Sequence, residues 1–335
     1  MPQMQPYHDL IKKILETGTD VRNKRTGTIC KTIVGCQLEF DMSEGFPALT
    51  TRKLAFKGMV GELLGFFRGY TNAKDFRNLS CQFWNSNANE TKAWLDNPFR
   101  KGEDDLGDIY SKMWIDTETY KVILDIEENE RKIRYLESKG YRYIESFYTT
   151  DEKTFGERGT YLLLKKNINQ LEEVVRKIMT DPSDRRIILN GWDLSYSETQ
   201  ALPACHLLYT FIPIEDTKTL NVVMFLRSMD VYLGTPMNIA STALLLSIIS
   251  RLTGYTPGKV IIQGANAHLY ENSFEVAKEL ITREHYPSPK LLLSDNITKL
   301  NRLNDIEGCF TRINPDDISL EGYQSHGVLT VPMIA

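Results

Sequence analysis

Apolar positions recur with helical spacing in PYHDLIKKILETG, where Tyr7, Leu10, Ile11, Ile14 and Leu15 share one face and Gly18 follows as a stop. The same spacing governs FKGMVGELLGFFRG, residues 56 to 69, which places one charged residue, Glu62, among Met59, Val60, Leu63 and Phe66. A third helix is predicted over LLLKKNINQLEEVVRKIM, with apolar residues at 164, 168, 171, 174, 175 and 178 and a terminator in Asp181-Pro182. PMNIASTALLLSIISRLTG is apolar nearly all round, which suits a helix in the core or in a subunit contact. RTGTICKTIVGCQLEFDM, residues 25 to 42, reads as an extended pair turning near Gly35. Further strands are predicted at IILNGW, at LLYTFIPI and LNVVMFLR joined by EDTKT, and at KVIIQG. Long helices among antiparallel-looking strands predict an α+β fold.

From about residue 118 to 165 the chain becomes densely charged, with one helical stretch and then the alternating, hairpin-like YRYIESFY. This segment is read as a solvated insert in a single domain spanning 1–335. The chain as a whole is 41% hydrophobic and 25% charged with a net charge of −4, so no bulk basic field draws it to nucleic acid or an anionic membrane. Its five cysteines (Cys30, Cys36, Cys81, Cys205, Cys309) are scattered without C-x-x-C spacing, which argues for reduced thiols and against a disulfide scaffold or zinc site. No metal is expected. No run has the length of a membrane span and MPQMQPYHDL has no signal-peptide core, so the expectation is a cytoplasmic protein. Neither G-x-G-x-x-G nor a Walker loop is present, which leaves phosphate binding to arginines.

In ALPACHLLYTFIP, Cys205 reads either as a small buried residue or as a nucleophile, and a nucleophile requires nearby positive charge or a base. His206 is a poor base for it, because neighbours on a strand face opposite ways. Arg25, the pair Arg185-Arg186, and Arg227-Ser228 are the candidate anion ligands. Arg227 is the most unusual of them, since it ends the apolar run VVMFL. Glu62 is either a carboxylate at a helix edge or a buried functional one. His268 and Tyr270 share a face if HLY is extended, as a structural pair or as ligands for sugar hydroxyls. Asn238 is either an N-cap or a reader of a pyrimidine edge, since its amide both donates and accepts.

LPACH, RSMDVYLGTPMNIAS and AHLYEN, in that order, resemble the signature segments of the thymidylate synthase family. RTGT, GFPALTTRKLAFK, GELLGFFRGYTN, DDLGDIY, DPSDRRIILNGW and the ending EGYQSHGVLTVPMIA fit the same pattern, and WNSNANETKAWLDNPFRKGEDDLG resembles its bacterial subgroup. The resemblance covers nearly the whole chain apart from the insert. It implies that family's fold, a large mixed or antiparallel sheet packed with long helices and dimerising through the sheet.

The resemblance further implies the synthesis of dTMP from dUMP with 5,10-methylenetetrahydrofolate, through addition of Cys205 to C6 of the uracil. Arg25, Arg227 and Ser228 would hold the phosphate, joined by Arg185 and Arg186 from the partner subunit of a homodimer. Asn238 would bind the uracil edge, and His268 and Tyr270 the deoxyribose hydroxyl. Glu62 would organise proton transfer through water, Tyr110 would aid removal of the C5 proton, and His206 would support the network. Asp230 would lie at the nucleotide and the folate, and Trp84, Gly234, Met237 and Ala335 would lie at the folate. Four departures stand out: Thr210 where the family usually has glutamine, Asn266 for aspartate, Met237 for phenylalanine, and YSKMWI at residues 110 to 115. They lie near the folate pocket or the polar network behind the pyrimidine, and raise the alternative of a dUMP hydroxymethylase, in which water replaces hydride. A remoter alternative is a non-catalytic nucleotide- or RNA-binding regulator.

Overall fold

The computed structural model describes residues 2–24 and 27–332. The chain divides into two compact units, one formed by the segments up to Ile115 and from Gln170 onward, the other by Asp116–Asn169. In the larger unit, helix α1 (Gln5–Thr17) buries Tyr7, Leu10, Ile11 and Ile14 as the spacing predicts. It stops at Gly18, where φ is an ordinary −66°. Glycine is needed there because a Cβ would come within 2.5 Å of the Ile14 carbonyl oxygen. Helices α2 (Phe56–Phe67), α3 (Asn85–Asn89), α4 (Tyr110–Ile115), α5 (Gln170–Thr180) and α6 (Gly234–Thr253) complete the framework of the site.

The sheet of this unit has seven strands: β1 (Thr19–Arg22), β2 (Ile29–Asp41), β3 (Ile188–Asn190), β4 (His206–Ile214), β5 (Thr219–Leu226), β6 (Met229–Asp230) and β7 (Thr256–Tyr270). Their order is β1-β2-β7-β5-β4-β3, with β6 pairing to β7. The sheet is mixed: β7 is antiparallel to β2 and parallel to β5 and β6. The parallel pairing follows from α6, whose 20 residues carry the chain back to the start of the sheet. On β5, Leu220, Val222, Met224 and Leu226 are buried while the alternate residues are half-buried, and α6 packs across β5 and β7. Each fully buried Leu or Ile of α6 contributes about 1.5–3 kcal/mol, so the position of its first turn is firmly set.

Three expected elements differ. The hairpin expected near Gly35 is instead one continuous strand, β2. Gly35, at φ +71°, kinks β2 without turning it, because the long β7 pairs on both sides in one register, Cys36 with Gly264 and Val34 with Asn266. The helix expected over LLLKKNINQLEEVVRKIM begins only at Gln170, with Glu172 and Glu173 in its first turn. The preceding Gly159–Ile168 is a strand, since LLLKKNI finds ladder partners on both edges.

That strand is the centre of the smaller unit, a three-stranded antiparallel sheet flanked by Thr117–Leu124 and Arg142–Thr149. The segment expected to be hairpin-like is thus a single edge strand with a bulge between Tyr143 and Glu145. A helix at Glu130–Ser138 carries an Arg134–Glu130 pair at 2.8 Å. Phe147, Phe155 and Tyr161 form the unit's aromatic cluster.

Candidate active site

Cys205 stands half-buried at the mouth of β4, and its backbone is held from two sides. Its N–H donates to the Tyr110 hydroxyl at 2.5 Å, and its carbonyl accepts from Arg227 N–H at 3.1 Å. The Arg227 guanidinium donates to the carbonyls of Ala204 and Pro203, both at 2.7 Å, and lies over the Trp192 ring at 5.5 Å. One arginine therefore braces the two residues before the cysteine and stacks on an aromatic face, which suits a planar guanidinium. Trp192 was not singled out in the sequence; its only signal was an aromatic after the short strand IILNG.

Glu62 projects from α2 into the same region. The Trp84 indole N–H donates to its carboxylate at 3.0 Å. Burial pushes the Glu62 carboxyl up to about 7, against the opposing pull of that hydrogen bond. A carboxyl titrating near neutral pH is suited to exchanging protons. Trp84 itself is only 4% exposed, packed against Phe66, Phe76 and Tyr110. The asparagine-rich α3 explains how it is held. Asp104 accepts from both Arg77 terminal nitrogens at 2.8 and 2.6 Å and from Asn89 at 2.8 Å, while Asn85 accepts from Arg77 at 3.0 Å. This clamp closes the segment that begins with Trp84.

Tyr110, at the start of α4, is buried, and burial holds its phenol well above the usual range. Its ring lies between those of Trp84, at 6.1 Å, and His206, at 5.2 Å. His206 Nε2 meets Asn238 Oδ1 at 2.9 Å, and Nδ1 meets the Tyr209 hydroxyl at 3.0 Å. Both ring nitrogens are thus engaged away from Cys205. Burial lowers His206 to about 4, so the imidazole is neutral at physiological pH. Asn238 sits in the first turns of α6, where the Thr242 hydroxyl donates to its carbonyl at 2.7 Å.

A second group gathers where β6 meets β7. Asp230 Oδ1 accepts the N–H groups of Tyr232 and Leu233 at 3.0 and 3.1 Å, fixing the approach to α6. Asp230 is cross-strand partner to His268, whose ring is edge-on to Tyr270 at 5.2 Å. Burial raises the Asp230 carboxyl and lowers the His268 imidazole. His268 Nδ1 lies 3.1 Å from Asn266 Oδ1, so the residue standing where the family usually has aspartate is an uncharged partner for an uncharged ring. Gly234 and Met237 occupy the first turn of α6, and Ser228 is half-buried between β5 and β6. Arg52, not singled out in the sequence, donates to the Tyr232 carbonyl at 2.6 Å and stacks on the Tyr232 ring at 4.9 Å.

Other expected residues stand apart. Arg185 and Arg186 are exposed in the turn between α5 and β3, with Arg186 paired to Asp184 at 2.8 Å. Arg25 and Ala335 lie outside the described residues. Thr210 is not in the polar network behind Asn238. On β4 it alternates with the buried Tyr209 and Phe211, so it faces the other side of the sheet, opposite Ile188. Tyr209 occupies the network place. Among the described residues no group of three or more His, Cys, Asp or Glu has the geometry of a metal site, and no helix is long and apolar enough to cross a membrane.

The family model described as "Thymidylate synthase" matches residues 5–335. The chain belongs to the thymidylate synthase family. It is 41% identical to "Thymidylate synthase" of Pseudomonas syringae pv. tomato over 98% of this chain and 99% of that one. The protein of the same name from Pseudomonas putida is 40% identical over the same shares of the two chains, and that from Pseudoalteromonas translucida 33%. This coverage takes in the smaller unit, which is therefore shared with thymidylate synthase relatives. The hydroxymethylase alternative finds no support among these names, and one residue that raised it, Thr210, faces away from the network.

Proposed function

We propose that the protein is a thymidylate synthase, converting dUMP to dTMP with 5,10-methylenetetrahydrofolate as co-substrate. The observation that carries the reading is the continuous assembly of Cys205, Tyr110, His206 and Asn238 beside Glu62. A braced thiol, a carboxyl near 7 and an amide aimed by a neutral imidazole are the parts the reaction needs. The Cys205 sulfur adds to C6 of the uracil, and the C5=C6 electron pair makes C5 a carbon nucleophile for the one-carbon unit. Tyr110 assists loss of the C5 proton, and expulsion of the sulfur regenerates the double bond. The folate, when bound, supplies both the one-carbon unit and the hydride. Asp230, Gly234 and Met237 frame its side of the site, where Asp230 holds the backbone with Oδ1 and would offer Oδ2 to the N–H groups of a pterin. Trp84 acts on that side through Glu62, to which its indole is committed. Arg227, Ser228 and Arg25 hold the phosphate; His268 and Tyr270 hold the sugar. The smaller unit is surface elaboration on one catalytic domain, and the protein works in the cytoplasm.

The deciding experiment incubates the protein with dUMP and methylenetetrahydrofolate and reads both products. Formation of dTMP with dihydrofolate is expected; 5-hydroxymethyl-dUMP with tetrahydrofolate would overturn the reading.

The homodimer belongs to the same proposal. Ile188, Ile212, Val223, Phe225 and Ile261 all alternate with the buried set and share the sheet face opposite α6, with Ile212 41% exposed. Such an apolar face suits an isologous contact between sheets. Arg185 and Arg186, projecting from the neighbouring turn, would then reach the partner's phosphate site. Mixed and refolded Cys205→Ala and Arg185→Ala subunits should regain activity that neither shows alone, since a heterodimer holds one intact site. Absence of any recovery would count against the shared site.

A further inference from the structure

We infer that Tyr209 is a specificity-determining residue: through His206 it fixes which edge of the Asn238 amide faces the pyrimidine, and so favours uracil over cytosine. The inference deepens the proposed function and rests on its reading of Asn238 as the base reader. The argument begins with a proton count. The Tyr209 side chain is 2% exposed, and its hydroxyl meets His206 Nδ1 at 3.0 Å. A buried hydroxyl has one proton to place, and an unplaced buried donor is costly. Burial also holds the phenol far above its ordinary range, so the proton stays on the oxygen.

A neutral imidazole carries a single N–H. If Tyr209 donates to Nδ1, that nitrogen holds the lone pair and the N–H lies on Nε2. Nε2 then donates to Asn238 Oδ1 at 2.9 Å. The amide oxygen accepts from the imidazole with one lone pair and keeps the other, and the amide is fixed with its NH2 group presented to the ligand. An NH2 group donates to the C4 carbonyl of uracil and opposes the C4 amino group of cytosine. The opposite order, with Nδ1–H donating to Tyr209, would turn the amide round and present its oxygen, which suits cytosine. Thr242, a side-chain hydrogen-bond neighbour of Tyr209, places its own proton on the Asn238 carbonyl at 2.7 Å. This leaves its oxygen as the one competing acceptor for the Tyr209 proton. Geometry favours the imidazole, because the Tyr209–His206 contact is the well-formed one.

Nothing in the apolar alternation of LLYTFIPI distinguishes Tyr209 from an ordinary core aromatic. Its hydroxyl matters only because the bulge between His206 and Leu208 lets residues 206 and 209 meet on one side of β4.

Two measurements test the inference. On the intact protein, ¹⁵N NMR of the His206 ring should show the Nε2–H tautomer; an Nδ1–H tautomer would mean that Tyr209 donates to Thr242 and would overturn it. This readout needs no variant to fold. In Tyr209→Phe the ratio of dCMP to dUMP dissociation constants should fall by about tenfold. An unchanged ratio, with both nucleotides bound as before or weakened equally, marks a packing role and overturns the inference. Asn238→Asp separates the two levels. If that variant leaves the ratio unchanged, the base-reading role of Asn238 fails; if it shifts the ratio and Tyr209→Phe does not, only the role of Tyr209 fails.

Discussion

Replacing Cys205 by alanine should lower turnover of dUMP by roughly 10⁴-fold or more, since the proposed mechanism makes the sulfur the reacting atom and gives no neighbouring group that role. The fold should survive. Cys205 is half-buried, and its backbone contacts with Tyr110 and Arg227 do not involve the side chain. Binding of dUMP should remain within about tenfold of the wild type, because phosphate and base contacts are made by other residues. Isothermal titration with dUMP and a spectroscopic assay of dihydrofolate formation measure the two quantities separately. Near-normal turnover in the variant would sink the mechanism, and loss of binding in step with turnover would recast the cysteine as structural.

The second large effect is expected at Glu62. Substitution by glutamine keeps shape and removes the titrating proton, and should lower kcat by about 10²- to 10³-fold. The sign of the pH dependence follows from burial. The folded carboxyl titrates near 7, above its ordinary 4.5, so it is mostly protonated below neutral pH and ionised above. The wild-type rate should therefore bend near pH 7, and the Glu62→Gln profile should lack that bend. Stability gives an internal control. Between pH 4.5 and 7 the unfolded chain releases a proton that the fold retains, so the wild type loses stability as pH rises through this window. The glutamine variant has no such loss and should melt higher than the wild type above pH 7. A retained bend near pH 7 would move the proton-handling role to another group.

Much of this architecture was legible in the residues. α1, α2 and α6 follow from their apolar spacing, and the strands from alternation, because each packs one face on a common core. The errors have local causes. LLLKKNI is apolar enough for helix or strand, and only its two ladder partners, distant in sequence, decide for strand. Gly35 carries a turn signal, yet an unbroken partner strand overrides it. At the site, Glu62 and Arg227 stand out in the sequence as charges beside apolar runs, whereas Cys205, His206 and Asn238 take their expected roles from the family resemblance. Trp192, Arg52 and Tyr209 have neither signal, since their roles come from contacts that no spacing encodes. Thr210 shows the same limit from the other side: one step along a strand puts a residue on the opposite face, so a departure that looks chemical in the sequence is spatially removed from the chemistry.

The indole–carboxyl contact between Trp84 and Glu62 also has an optical consequence. A carboxyl in hydrogen-bond contact with an indole changes that ring's emission when it gains or loses its proton. The chain has four tryptophans, and Trp84 is the one bonded to the carboxyl that titrates near neutrality. The protein thus carries an intrinsic fluorophore beside the carboxyl proposed to relay protons, so the protonation of the resting site can be followed by light without label, ligand or turnover.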